Sequence, residues 1–85
     1  MYLIKMKTTV DLIMLAGTGA NLVIDASAKS SADIIQIVGS IGLKGSHIII
    51  RNANCKPTAD LIQIAMVYPK NITFDMTDIT EVKSK

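Results

Sequence analysis

The segment Ser30–Asn54, SSADIIQIVGSIGLKGSHIIIRNAN, is the most informative part of the chain, because the chain contains two further versions of it. Upstream, Thr8–Ser27 reads TTVDLIMLAGTGANLVIDAS, and downstream, Pro57–Thr77 reads PTADLIQIAMVYPKNITFDMT. Each version has an Asp, an apolar segment with helical spacing, a break, and a short apolar segment that ends in a charge. We therefore interpret the chain as a helix-and-strand unit that occurs three times.

Each unit begins with the signals of a helix start. Thr8 and Ser30 each precede an Asp by three residues, in the pattern of a helix cap, and Pro57 is expected to be the first helical residue of the third unit. In the central unit the apolar side chains recur at i, i+3, i+4 and i+7, which is the stripe of an amphipathic helix. That stripe consists of Ile34, Ile37, Val38 and Ile41.

The short apolar segments predict parallel strands, because strands that alternate with helices are joined by right-handed crossovers. The predicted strands are Tyr2–Met6, Asn21–Ser27, His47–Asn52 and Asn71–Met76. We expect an α/β fold, a two-layer repeat of four parallel strands in the order 1-2-3-4 with three helices on one face. A single α/β domain would cover residues 1–77, and residues 78–85 would form a frayed tail.

Two features of the strands favour this order over a doubly wound sheet. One face of each strand is apolar whereas the other also carries charges, and a sheet covered on both sides is expected to be apolar on both. The charged positions also alternate in sign along the chain, so the order 1-2-3-4 places opposite charges side by side. They are Lys5, Asp25, Arg51 and Asp75.

The alternation between Tyr2 and Thr77 resembles α/β solenoids of the leucine-rich-repeat kind, in which a strand and a helix recur every ~20–29 residues. Asn52 and Asn54, in HIIIRNAN, are the nearest counterparts of the Asn in that family's repeat. The resemblance is architectural, and it implies a binding protein.

The composition of the 85 residues argues against several classes of function. A formal net charge of +2, spread over the loops, does not form a nucleic-acid surface. The one Cys excludes an internal disulfide and fits a reducing compartment. No apolar run approaches the ~20 residues of a membrane span, and the start of the chain has no signal-peptide hydrophobic region. We therefore expect a cytoplasmic protein that binds neither nucleic acid nor membrane.

No combination of residues predicts catalysis, a cofactor or a metal. His47 has no second ligand at metal spacing, and Cys55 has no available partner base except His47. The three helix-start carboxylates, Asp11, Asp33 and Asp60, recur at one place in each unit, which favours helix capping over acid–base chemistry. We expect no enzymatic activity.

The sheet face without helices is the candidate interaction surface. An apolar row lies there beside a charged row, and apolar patches next to charges are typical of interaction surfaces. The partner-binding residues would be Leu3, Lys5, Val23, Asp25, Ile49, Arg51, Thr73 and Asp75. We predict a non-catalytic protein–protein interaction module that self-associates into a homo-oligomer through this face or through an edge strand.

A second interpretation is a small phosphoregulated switch. The segments NLVIDAS and SHIIIRN, on either side of a serine-bearing helix start, are similar to the strand–Ser–helix–strand core of STAS and anti-sigma-antagonist domains. That resemblance implies that Ser30 or Ser31 accepts the phosphate.

Overall fold

A computed structural model describes residues 7–76 of the chain. The helices are α1 (Thr9–Ala16), α2 (Ser31–Gly39) and α3 (Thr58–Val67), and the strands are β1 (Leu22–Asp25), β2 (Ile48–Arg51) and β3 (Ile72–Phe74). They alternate along the chain, each helix preceding a strand. Within the described residues no helix is long and apolar enough to cross a membrane.

The three strands are parallel, and β2 lies between β1 and β3. Val23 lies opposite Ile49, which in turn lies opposite Thr73. Asp25 lies opposite Arg51 at the carboxyl end of the same pair of strands. The register therefore aligns side chains of the same face across the sheet.

The prediction of a four-stranded repeat solenoid is wrong. The sheet in residues 7–76 has three strands, and the predicted strand Tyr2–Met6 lies outside the described residues, as does the predicted tail at 78–85. The three units are also not equivalent, since a 3-10 helix at Gly42–Lys44 follows α2 whereas α1 leads to β1 without one. The side chains that are completely buried belong mostly to the central unit, so this is one small α/β core rather than a stack of equal repeats.

The local signals at the helix starts agree with the structure in two of the three helices. The Thr8 hydroxyl accepts a hydrogen bond from the backbone N–H of Asp11 at 3.2 Å, and the Ser30 hydroxyl accepts one from Asp33 at 3.1 Å. Each oxygen satisfies a backbone donor that has no partner inside the helix. Pro57, expected as the first helical residue, is instead the extended residue before α3.

Helix α2 is shorter than its apolar stripe predicts. It ends at Gly39. Ile41, the last member of the stripe, lies in the connection that follows the helix, and its side chain is nevertheless buried. Gly42 and Gly45 have φ angles of 59° and 75°, a left-handed backbone that glycine adopts without steric cost. These two turns lead the chain from the end of α2 into β2.

The core lies between the helices and one face of the sheet. Side chains from all three helices join Ile24, Ile48 and Ile50 in one apolar cluster. The alternate strand residues point away from it, and Val23 is 61% exposed while Ile49 is half-buried. Because successive strand residues point to opposite faces, the helices cover one face and leave the other open.

We expect the substitution Ile34→Ala to lower the free energy of unfolding by about 2–5 kcal/mol, because it leaves a cavity at a completely buried position. Val10→Ala, at an exposed position of α1, is the control and should change it by less than about 0.5 kcal/mol. Urea unfolding followed by circular dichroism measures both. Equal costs for the two variants would contradict the assignment of the core.

Candidate protein-interaction surface

The open sheet face carries the predicted partner-binding residues that the structure describes, and it brings them together in two rows. Leu3 and Lys5 lie outside the described residues. The central row consists of Val23, Ile49 and Thr73, and the charged row consists of Asp25, Arg51 and Asp75.

The central row is held by the strand backbones. Val23 and Thr73 are exposed and Ile49 is half-buried between them. Ile49 has a paired strand on each side, and the strands of Val23 and Thr73 each pair with its strand, so the row presents a largely apolar surface built on paired backbone. Its side chains stand above a core whose isoleucines point the other way.

The charged row begins with an ion pair between two strands. Arg51 Nε lies 3.5 Å from Asp75 Oδ2, and the backbone N–H of Asp75 donates to the carbonyl of Ile50 at 2.8 Å. Asp75 therefore continues the pairing of β3 with β2 by one residue. An exposed ion pair contributes about 0–1 kcal/mol, so this pair positions Arg51 more than it stabilises the sheet.

Asp25 has a different set of partners from the one that the alternating charges predicted. Its Oδ1 accepts hydrogen bonds from Asn52 Nδ2 at 3.0 Å, from Ser27 Oγ at 2.6 Å and from the Ser27 backbone N–H at 2.9 Å. The bond from Asn52 and then those from Ser27 lower the pKa of Asp25, and the charge of Arg51 adds a smaller effect. The carboxylate is thus held at the carboxyl end of β1 mainly by neutral donors.

Asn52 reaches Asp25 because of its backbone. Its φ angle is 57°, a left-handed conformation that Asn tolerates better than most residues, and it turns the chain directly after β2. The amide then lies beside the end of the neighbouring strand. An Asn that follows a strand is a turn signal in the sequence, but its contact with Asp25 depends on strand order and register.

The other polar side chains missed by sequence reasoning lie at the opposite end of the same face. His47 Nε2 is 2.7 Å from Thr73 Oγ1, and the backbone N–H of His47 donates to Asn21 Oδ1 at 2.8 Å. Both contacts join adjacent strands at the start of the sheet. Ser27, Asn52, His47 and Asn21 therefore surround the central row with side chains that already have hydrogen-bond partners.

The remaining candidate groups have structural surroundings. Ser30 Oγ caps α2, and Ser31 Oγ donates to Asp60 Oδ2 at 2.8 Å across to α3. Cys55 is an exposed free thiol in the short turn before α3. Among residues 7–76 no group of three or more His, Cys, Asp or Glu side chains could hold a metal ion.

Comparison with known proteins finds no matching protein-family model, no matching curated protein and no matching solved structure. The resemblances to leucine-rich-repeat proteins and to STAS domains therefore stay predictions. What the chain does has to be inferred from its own geometry.

We expect Asn52→Gly to raise the pKa of Asp25 toward its ordinary value of 3.8, because the substitution removes the donor with the largest effect. Glycine keeps the left-handed backbone of this position without strain. An NMR titration of the side-chain carboxyl measures the change. Asn54→Gly, at an exposed position two residues further along, is the control and should leave this pKa as it is.

The lowered pKa of Asp25 also determines the direction in which acid changes the free energy of unfolding. In the unfolded chain Asp25 binds a proton at a higher pH than in the folded protein, so its stabilising contribution is present above pH 3.8 and is lost as the pH falls through the folded pKa. Asn52→Gly should therefore make stability less sensitive to acid below that pH. An unchanged acid dependence and an unchanged pKa would contradict the role of Asn52.

Proposed function

We propose that the protein is a non-catalytic protein–protein interaction module and that the open sheet face is its binding surface. The main supporting observation is the exposure of Val23 beside the half-buried Ile49, which are apolar side chains with no cover in the described part of the chain. Apolar side chains that stand together on a surface, with polar groups around them, are typical of interaction sites.

The distribution of polar groups supports this proposal. The centre of an interface is usually apolar and its rim polar, and Arg is common among the residues that contribute most to binding. Here the central row is flanked by the charged row on one side and by His47 on the other. Because Asp25 is already bound by Asn52 and Ser27, burial under a partner would not leave it without hydrogen bonds.

The rigidity of the face also favours binding. Val23, Ile49 and Thr73 lie on paired strands, so little conformational freedom has to be lost when a partner covers them. A partner with apolar side chains opposite Val23 and Ile49 and a polar group near Arg51 would fit these surroundings.

Self-association is part of the proposal, through the same face or through an edge strand. The backbone of Asp75 pairs with β2, so the alternate residues of β3, Ile72 and Phe74, turn their backbone N–H and C=O groups to the outer edge. Such an edge is a template for another strand. We also propose a cytoplasmic location, which the free thiol of Cys55 supports because disulfides are typical of oxidising compartments.

The phosphoregulated switch has less support from the geometry. Ser31 Oγ donates to the Asp60 carboxylate, so a phosphate on Ser31 would bring two negative charges together. Ser30 Oγ is engaged by the backbone of α2. Detection of a phosphate on either serine, by mass spectrometry of the protein from its native host, would favour this alternative.

We expect Val23→Asp combined with Ile49→Asp to abolish assembly through the open face while the fold is retained, because two carboxylates would have to be buried without partners. Sedimentation velocity over a range of protein concentrations measures the assembly, and circular dichroism checks the fold.

The matched control is Gln36→Glu combined with Gln63→Glu, which adds the same charge at exposed positions of α2 and α3. The control should sediment as the wild type does. If the sheet-face variant also sediments as the wild type does, the open face is not the interface.

A further inference from the structure

Equivalent residues of the three helices differ in their exposure, and the difference shows where a helix lacks a neighbouring helix. Leu15, Ile37 and Ile64 each follow the Asp of their helix start by four residues. Ile37 and Ile64 are completely buried, whereas Leu15 is 39% exposed. Since α1 packs against α2 and α2 against α3, this position faces the preceding helix, and the described residues contain no helix before α1.

At a second set of equivalent residues the exposed side chain belongs to α3, at the other end of the helix layer. Ile13, Ile35 and Ile62 follow the same Asp by two residues. Ile13 and Ile35 are partly buried against the core, whereas Ile62 is 54% exposed. This position faces the following helix, and in residues 7–76 no α-helix follows α3.

The two exposed sides have different chemistry. The α1 flank consists of Lys7, Asp11, Met14 and Leu15, which line a shallow cleft of about 200 Å³. The α3 flank consists of Ile62 and Met66, one helical turn apart, and Met66 is 73% exposed. The cleft is smaller than the ~300–1,000 Å³ of typical small-molecule sites, which favours a side chain as its occupant.

Lysine side chains link the loops that precede the three helices by two hydrogen bonds. Lys29 Nζ donates to the backbone carbonyl of Lys7 at 2.9 Å, and Lys56 Nζ donates to the backbone carbonyl of Lys29 at 2.7 Å. Within the described residues neither the Lys7 ammonium nor the Lys56 carbonyl has a hydrogen-bond partner. The α1 side thus offers a donor and the α3 side an acceptor.

We propose that the neighbour of both flanks is a second copy of this chain, bound head to tail. Leu15 of one copy would pack against Ile62 of the next, as Ile37 and Ile64 pack toward their preceding helices, and Lys7 Nζ would donate to the Lys56 carbonyl of that copy. The two flanks are different surfaces, so the contact is heterologous and leaves one free flank at each end of an assembly.

This inference rests on the proposed role in protein–protein interaction and identifies the partner at a surface separate from the open sheet face. Continuation of the sheet in the same register would place Asp75 of one copy beside Asp25 of the next. That like-charge pair opposes the contact, so the association depends on the apolar side chains of the two helix flanks.

The test uses variants that block one flank each. The flank variants are made in the sheet-face variant, Val23→Asp with Ile49→Asp, so that assembly through the open face does not contribute. In that background Leu15→Asp blocks the α1 flank and Ile62→Asp blocks the α3 flank, and each should sediment as a single chain at concentrations where the background protein forms larger assemblies. An equimolar mixture should sediment with the mass of two chains and no more, because each variant keeps the flank that the other lacks. Met14→Asp and Met66→Asp, at more exposed positions, repeat the test with less effect on folding.

The controls place the same charge on the outer surface of the same helices. Val10→Asp is at an exposed position of α1, whose counterparts Ala32 and Ala59 are exposed as well, and Gln63→Asp is at an exposed position of α3. Both should assemble as the wild type does. The sheet-face variant, Val23→Asp with Ile49→Asp, should also retain head-to-tail assembly, so this inference and the proposed function can fail separately.

A mixture that stays monomeric would overturn the inference, and so would flank variants that assemble like the sheet-face background. A wild type that is monomeric at every concentration would overturn it too.

Discussion

Burial of a layer of isoleucines between the helices and the sheet holds this fold together. Its completely buried members are Ile34, Ile37, Ile41, Ile48, Ile50 and Ile64. Burial of one such side chain contributes about 1.5–3 kcal/mol, and the described residues contain few aromatic side chains that could replace it. All the helices are needed to cover this one layer. In residues 7–76 the three helices all cover this one side, so the described part of the chain leaves the second face of the sheet open.

The need to cover this apolar layer also explains why the central helix is more buried than the two outer helices. A helix in the middle is covered on both sides, and α2 accordingly has completely buried side chains at Ile34, Ile37 and Val38. Within the described part of the chain α1 and α3 each have a neighbouring α-helix on one side only, and Leu15 and Ile62 are exposed while their counterparts are not. The open sheet face and the two helix flanks are thus the surfaces that the buried core of the described residues does not include.

Local features of the fold could be predicted from the sequence, whereas features that depend on neighbouring segments could not. The caps at Thr8 and Ser30 need only residues three positions apart, and they form as the sequence predicts. Of the four predicted strands, residues 7–76 contain three. The inequality of the units was missed because similar helices such as α1 and α2 can be followed by different turns. The binding of Asp25 by Asn52 was missed because it requires a left-handed residue at the end of a neighbouring strand.

Methyl NMR can show whether helices cover only one face of the sheet. In protein with labelled isoleucine methyl groups, Ile50 should show nuclear Overhauser contacts to the helix residues Ile34 and Ile37, since all three belong to the buried cluster. Ile49, the next residue in the same strand, should show none to any residue of α1, α2 or α3. Contacts between Ile49 and a helix of the same chain would contradict this arrangement, because they would place a helix on the open face of the sheet.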